Sequence, residues 1–345
     1  MSVEKSFYGK TAKGDDIYSY SIKNKDGMCA QIINYGATLD KLFVKDKNGK
    51  FEDILLGFDN LADHENLSDY QGVTVGRYAN RIEKGKFTID GVEYSVKINN
   101  NGNCNHGADE FCKAVWDAQI TGEHSVKFSY FSPDGTFGFP GNLKAWVEFT
   151  LTEDNSLKID FKGVSDKKTI MNFTNHAYFN LGGYASGDIL GHLLKIDADF
   201  YTPTDETSIP TGELRSVENT PFDFRTPKTI GKDIYADDQQ LLWGKGYDIN
   251  FCINSPSIDK PCAVVSDPVS GRTLEIYSDL PGLQFYSGCL LDNVKGKNGT
   301  FMNQYEAFCL ETQFWPNSPN RDDFSDCVFD KDEVFETTTV FKFGK

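Results

Sequence analysis

The stretch Val147-Glu-Phe149-Thr-Leu151-Thr-Glu-Asp-Asn-Ser-Leu157-Lys-Ile159-Asp-Phe161 alternates apolar and polar residues on both sides of a polar break. Alternation of period two is the strand period, because successive side chains leave a pleated strand on opposite faces. Val147, Phe149 and Leu151 therefore share one face of a first strand, and Leu157, Ile159 and Phe161 share one face of a second. The break Thr152-Glu-Asp-Asn-Ser156 is turn chemistry, so the stretch predicts an antiparallel hairpin with one buried face.

The same reading extends outward. Phe87-Thr-Ile89, Asp90-Gly91 and Val92-Glu-Tyr94-Ser-Val96 form two alternating runs joined by a two-residue turn that tolerates positive φ, which pairs Ile89 with Val92 and Phe87 with Tyr94. Val126-Lys-Phe128-Ser-Tyr130 alternates as well, and Asp26-Gly27, Asn48-Gly49 and Asp134-Gly135 mark further turns. Helical periodicity is confined to short segments, Asn60 to Asn66 and Asp237 to Leu242. There is no internal repeat, low-complexity tract or linker composition. Many short strands without β-helix-β alternation predict an all-β class, a large antiparallel β-sandwich, with residues 1–345 as a single domain.

Composition narrows the partners. The 345 residues carry 35 basic and 51 acidic side chains, a formal charge of −16. That balance argues against nucleic acid and anionic lipid, both of which are gripped by Lys and Arg. No window approaches a membrane span and the first residues lack an apolar leader segment, so the expectation is a cytoplasmic protein without a membrane partner. The eight scattered cysteines contain no C-x-x-C pair and read as free thiols.

Nucleotide, dinucleotide, zincin and nucleophile-elbow motifs are absent from the sequence, which favours a cofactor-free reaction without a metal. Of five histidines, His64 and His124 stand in polar stretches and read as solvated, and His192 receives no role. His176 is embedded in Asn172-Phe-Thr-Asn175-His176-Ala-Tyr178-Phe179-Asn180-Leu181, either a hydrogen-bonded core histidine or a working one. His106 lies in the Gly/Asn-rich loop Asn101-Gly-Asn-Cys-Asn105-His106-Gly107, the kind of segment in which binding side chains collect on β scaffolds. Glu311 interrupts the apolar run at Cys309-Leu310-Glu311-Thr312-Gln313, where a carboxylate buried without partners costs several kcal/mol and is therefore paired or functional. Asp248, in Gly244-Lys-Gly-Tyr-Asp248, reads first as a turn residue, and Arg77 and Arg81 as solvated surface charge.

Taken together and in order, these segments resemble the galactose mutarotase (aldose 1-epimerase) family. The resemblance rests on Gly76-Arg77-Tyr-Ala-Asn80-Arg81-Ile82, Asn105-His106-Gly107, Asn175-His176-Ala-Tyr-Phe-Asn-Leu181, Gly246-Tyr-Asp248, Leu280-Pro-Gly-Leu-Gln284-Phe-Tyr286 and Leu310-Glu311-Thr-Gln313-Phe-Trp-Pro-Asn317, and runs over nearly the whole chain. It implies a supersandwich of antiparallel strands and an isomerase that interconverts the α and β anomers of a free hexose such as galactose or glucose, acting as a monomer or homodimer without a cofactor. It implies Glu311 as catalytic base and His176 as catalytic acid, with His106, Arg81, Asn80, Asp248 and Gln284 binding the monosaccharide. The family pattern Leu-His-Gly-Gly is replaced here by Asn105-His106-Gly107-Ala108.

Anomer exchange needs a base for the C1 hydroxyl and an acid for the ring oxygen, and at their ordinary pKa values of about 4.3 and about 6.5 Glu and His suit these roles without large tuning. Aromatics among Tyr178, Phe179, Phe314 and Trp315 are candidates to cover an apolar sugar face. Two other readings remain open: a glycosidase using Glu311 and Asp248 as a carboxylate pair, and a non-catalytic carbohydrate-binding β-sandwich.

Overall fold

The computed structural model describes residues 3–345. Met1 and Ser2, which open the segment read as lacking a leader, lie outside the described residues. Among the described residues the strands build one nine-stranded and two five-stranded sheets, with two-stranded ribbons beside them, and every paired strand is antiparallel. The architecture is the expected large antiparallel β-sandwich.

The hairpin at 147–161 has the register its alternation implies. Strand Leu143–Leu151 pairs with Ser156–Ser165, with Leu151 opposite Leu157, Phe149 opposite Ile159 and Val147 opposite Phe161. Burial alternates along both strands because one face is pressed into the core and the other meets water. The hairpin Lys86–Ile89 and Val92–Ser95 forms as read, with Asp90 and Gly91 both at positive φ in the turn. The helix signals also hold: Leu61–Leu67 is capped by the Asn60 side chain and Gln239–Gly244 by Asp238.

The nine-stranded sheet is closed in its middle by Val334–Gly344, which lies between Ser156–Ser165 and Thr273–Ser278. Across the core from it is a five-stranded sheet with Ala198–Thr202, Asp248–Ile253, Gly282–Tyr286 and Cys309–Gln313 as consecutive neighbours. One face of that sheet, with Ile249, Phe251, Leu283, Phe285 and Leu310, belongs to the main core. On the same face the Thr312 hydroxyl hydrogen-bonds that of Thr339 in the large sheet. The opposite face presents Asp248, Asn250, Gln284, Tyr286, Glu311 and Gln313, because residues of alternate parity must point the other way. A sheet covered on both sides thus devotes one side to polar groups that lack bulk water.

Two expectations of solvated charge fail. His64 is buried and its Nε2 lies 3.1 Å from the Asp40 carboxylate, a pairing to a residue 24 positions away that its polar sequence neighbours do not reveal. Arg77 is fully buried: its guanidinium donates to the carbonyls of Ser132, Pro133, Pro140 and Gly141 and lies 3.7 Å from Glu110. Buried charge of this kind survives only when each donor is satisfied, and here the loop carbonyls and the Ser132 hydroxyl, which accepts from Nε, do so. His124 is half-buried and sits 3.3 Å from Glu153, and His192 is buried, accepting a hydrogen bond from the Leu181 amide.

Candidate active site

The polar sheet face forms the floor of a pocket of about 560 Å³ including its open mouth. Glu311 rises from the edge strand of this sheet and sits directly opposite Gln284, which in turn sits opposite Asn250. Cross-strand pairing therefore places these side chains side by side on one surface. The Gln284 amide donates to Asp248 at 2.7 Å, and Arg81 Nη2 stands 3.6 Å from the other carboxylate oxygen of Asp248. Asp248, read as a possible turn residue, is the first residue of its strand and is held between an amide and a guanidinium.

The walls come from loops on the other side. Strand Arg81–Ile82 pairs with Cys104–Asn105, setting Arg81 opposite Asn105 and delivering His106 at the end of the ribbon. His106 takes the left-handed conformation, followed by Gly107 and Ala108 at φ 64° and 60°. Gly107 is required there, since a Cβ at that position would lie 2.0 Å from the Gly76 carbonyl oxygen. Asn80 donates its backbone N–H to His106 Nδ1 at 3.2 Å, so the neutral ring carries its proton on Nε2. The Asn80 side chain reaches Gln313 at 3.4 Å, and Gln313 donates to Asn250 at 3.1 Å, which ties the loop to the floor through amides.

His176 follows the short strand Thr174–Asn175. Its own backbone is clamped, with its N–H donating to Val73 and its carbonyl accepting from Gly72. The ring stacks with Tyr178 at 5.0 Å and 16° and with Tyr70 at 5.8 Å and 20°, and meets the edge of His106 at 5.2 Å. Its Nε2 lies 3.5 Å from Glu311 Oε1. Glu311 Oε2, His176 Nδ1 and Arg81 Nε are buried without a hydrogen-bond partner among the described residues, a cluster of unmet polar atoms that a polar ligand could satisfy.

Burial dominates the electrostatics. It raises the Glu311 pKa well above the carboxylate range, with the Asp248 charge adding to the rise and Arg81 opposing it. It lowers His176 to about 3, assisted by Arg81, and drives His106 well below the ordinary histidine value, with His176 contributing. The expectation of untuned Glu and His is therefore corrected: an enclosed, aromatic-walled pocket favours the uncharged form of each group.

His106, His176 and Glu311 offer ligand atoms within 4.8 Å of one another, a geometry within reach of a divalent ion. The fit is poor on chemical grounds. His106 Nδ1 already accepts an amide hydrogen, so its Nε2 holds the proton that a metal bond would have to displace.

The pocket brings together every residue named from sequence: Glu311, His176, His106, Arg81, Asn80, Asp248 and Gln284. Of the aromatic candidates, only Tyr178 lines it; Phe179 is core, Phe314 packs against the core, and Trp315 donates to the Pro281 carbonyl. Tyr70, Tyr286, Asn100 and Asn105 line it without having been singled out as site residues. Tyr286 falls inside a quoted motif, whereas Tyr70 gives no local signal.

The family model described as aldose 1-epimerase matches residues 18–342. The chain is 41% identical to the galactose mutarotase of Rattus norvegicus over 346 aligned positions, covering 100% of this chain and 99% of that protein. It is 40% identical to the aldose 1-epimerase of Haemophilus influenzae over 87% of each chain. Among solved structures, the galactose 1-epimerase of Lactobacillus acidophilus superposes with a TM-score of 0.88 at 30% identity, covering 100% of this chain and 99% of that one.

Proposed function

The chain belongs to the aldose 1-epimerase family, and on that premise we propose that Glu311 and His176 form the acid–base pair of an isomerase whose substrate is a free aldohexose. The protein interconverts the α and β anomers of aldoses. The observation that carries the residue assignment is the 3.5 Å approach of His176 Nε2 to Glu311 Oε1 on a pocket floor whose other groups are hydrogen-bonding side chains.

The pair holds one proton. Burial favours the neutral form of each group and so favours the proton on Glu311, and moving it to His176 creates the carboxylate and imidazolium that start the reaction. Glu311 then takes the C1 hydroxyl proton while His176 gives its proton to the ring oxygen, the C1 to ring-oxygen bond breaks, and C1 becomes an aldehyde. This returns the pair to its favoured uncharged form while the open chain is present. Burial thus disfavours the charged starting pair and favours the state that accompanies the intermediate. Rotation about the C1–C2 bond and the reverse transfers close the ring on the other face. Positioned acid–base groups contribute about 10² to 10⁴ in rate.

Asp248, anchored by Gln284 and Arg81, fits a hydroxyl acceptor, and Arg81 and Gln284 fit donors. His106, with its proton on Nε2, fits a donor to the ring oxygen, and Asn80 fixes that tautomer. We read residues 1–345 as one domain and galactose or glucose as substrate. The free cysteines support a reducing compartment, the cytosol. Polarimetry of freshly dissolved α-D-galactose and α-D-glucose tests the proposal. The protein should speed the rotation change, Glu311→Gln should abolish the effect, and His176→Gln should reduce it by about 10²-fold or more while His124→Gln does not. Release of the aglycone from an aryl glycoside would instead support a glycosidase.

A further inference from the structure

Directly across the Arg81–Asn105 ladder from the cation that holds Asp248 stands a side chain with nothing to hold. Asn105 is 5% exposed and lines the pocket, and its Oδ1 has no hydrogen-bond partner among the described residues. Its backbone is fully engaged, donating to the Asn99 side chain at 2.7 Å and accepting from it at 3.0 Å, so the loop is held independently of the Asn105 amide. Residues opposite each other in an antiparallel pair point to the same face, and Arg81 reaches into the pocket, so Asn105 does too. The preceding residue, Cys104, points the other way into a separate apolar cluster, which confirms the parity. Beside it Asn100 also lines the pocket, with its own Oδ1 buried and unpartnered.

Two amide oxygens left bare in a pocket wall are costly unless a ligand supplies their donors. Uncharged amides accept from and donate to hydroxyls and are indifferent to charge, which matches a neutral sugar. Resting on the anomer-exchange reading above, we propose that Asn105, supported by Asn100, is a specificity-determining subsite that hydrogen-bonds one substrate hydroxyl other than that on C1. The subsite selects among aldoses by that hydroxyl and takes no part in the proton transfers. A site built around a hydrogen bond discriminates strongly against the analogue that lacks it, because its own polar groups are then left unpaired.

The test measures kcat/KM by polarimetry for galactose and its 2-, 3-, 4- and 6-deoxy analogues, with the wild type, Asn105→Leu and Asn100→Ala. Asn105→Leu should lower kcat/KM about tenfold or more on galactose and on the analogues that keep the contacted hydroxyl, and match the wild type on the one analogue that lacks it. Asn100→Ala should show the same pattern more weakly. Retained activity on that analogue also shows that the variant is folded. A uniform ratio of variant to wild type across the panel, whether unity or a general loss, would overturn the subsite while leaving the mutarotase reading intact. A wild type inert on every sugar would overturn that reading itself.

Discussion

Ionising Glu311 inside an enclosed pocket is unfavourable, and the same burial makes the carboxylate, once formed, a strong base. Its folded pKa is raised, so its contribution to stability is complete below about pH 4.3, the ordinary carboxylate value, and is lost as pH rises through the folded value. Glu311→Gln, which keeps the shape and removes the titration, should therefore be inactive yet melt no lower than wild type near about pH 7, with its relative advantage shrinking toward about pH 4. Thermal melts across pH check this, and a large loss of Tm would mean that Glu311 has a structural role. His176 titrates in the opposite sense, its protonation postponed to about 3. Burial thus moves the titration of His176 out of the range in which an ordinary histidine would titrate. The kcat/KM profile should stay level as pH falls through about 6.5, and an acid limb centred there would show His176 to be solvated.

At the scale of the loop and the strand, the site depends on backbone that passes very close to other backbone. Gly107→Ala would place a methyl group 2.0 Å from the Gly76 carbonyl oxygen, and neither chain can yield without moving His106 or Arg77. The expected outcome is loss of activity together with a lower urea midpoint. Arg77→Met should destabilise the protein by about 3–5 kcal/mol, because it strips a buried charge from Glu110 and leaves four loop carbonyls short of a donor. Equilibrium denaturation measures this, and a change within about 0.5 kcal/mol would show Arg77 to be dispensable.

These elements also show what one dimension of sequence can reveal. Both hairpins follow in type and register from alternation and turn residues, because those rules act between near neighbours. Glu311 stood out because a carboxylate in an apolar run violates the pattern around it. Arg77 and His64 had no such signal, since their partners lie 24 to 64 positions away and their neighbours are polar in any case. Tyr70 is the clearest omission: it reaches His106 and His176 from a left-handed turn, with its hydroxyl donating to Asp109 39 positions on, and no periodicity or motif points to it. The roles proposed for individual site residues rest on order-preserving motif resemblance and on no local pattern. Burial, which sets their protonation, belongs to the packed molecule alone.

Across the molecule the eight thiols are free, seven of them buried and only Cys29 half-buried. Burial raises the pKa of Cys29 and of the interior thiols alike, so thiolate is scarce and access decides reactivity. A disulfide-exchange reagent should titrate about one thiol in the native protein and all eight in denaturant. Rapid native modification of several would mean that the interior opens readily.

The strand Val334–Gly344 joins Ser156–Ser165 to Thr273–Ser278 in the middle of the largest sheet. Synthesis therefore does not follow the ladder. A ribosome adding about 5–20 residues per second must extend the chain from Thr273–Ser278 on to Val334–Gly344 before the two halves of that sheet have anything to share. During that interval each half carries an open strand edge, the feature most prone to pairing with another molecule. Chains truncated before residue 334 should accordingly be captured by chaperones or aggregate, whereas chains that include Val334–Gly344 should fold, and a truncated chain that stays soluble and monomeric would show the strand to be dispensable.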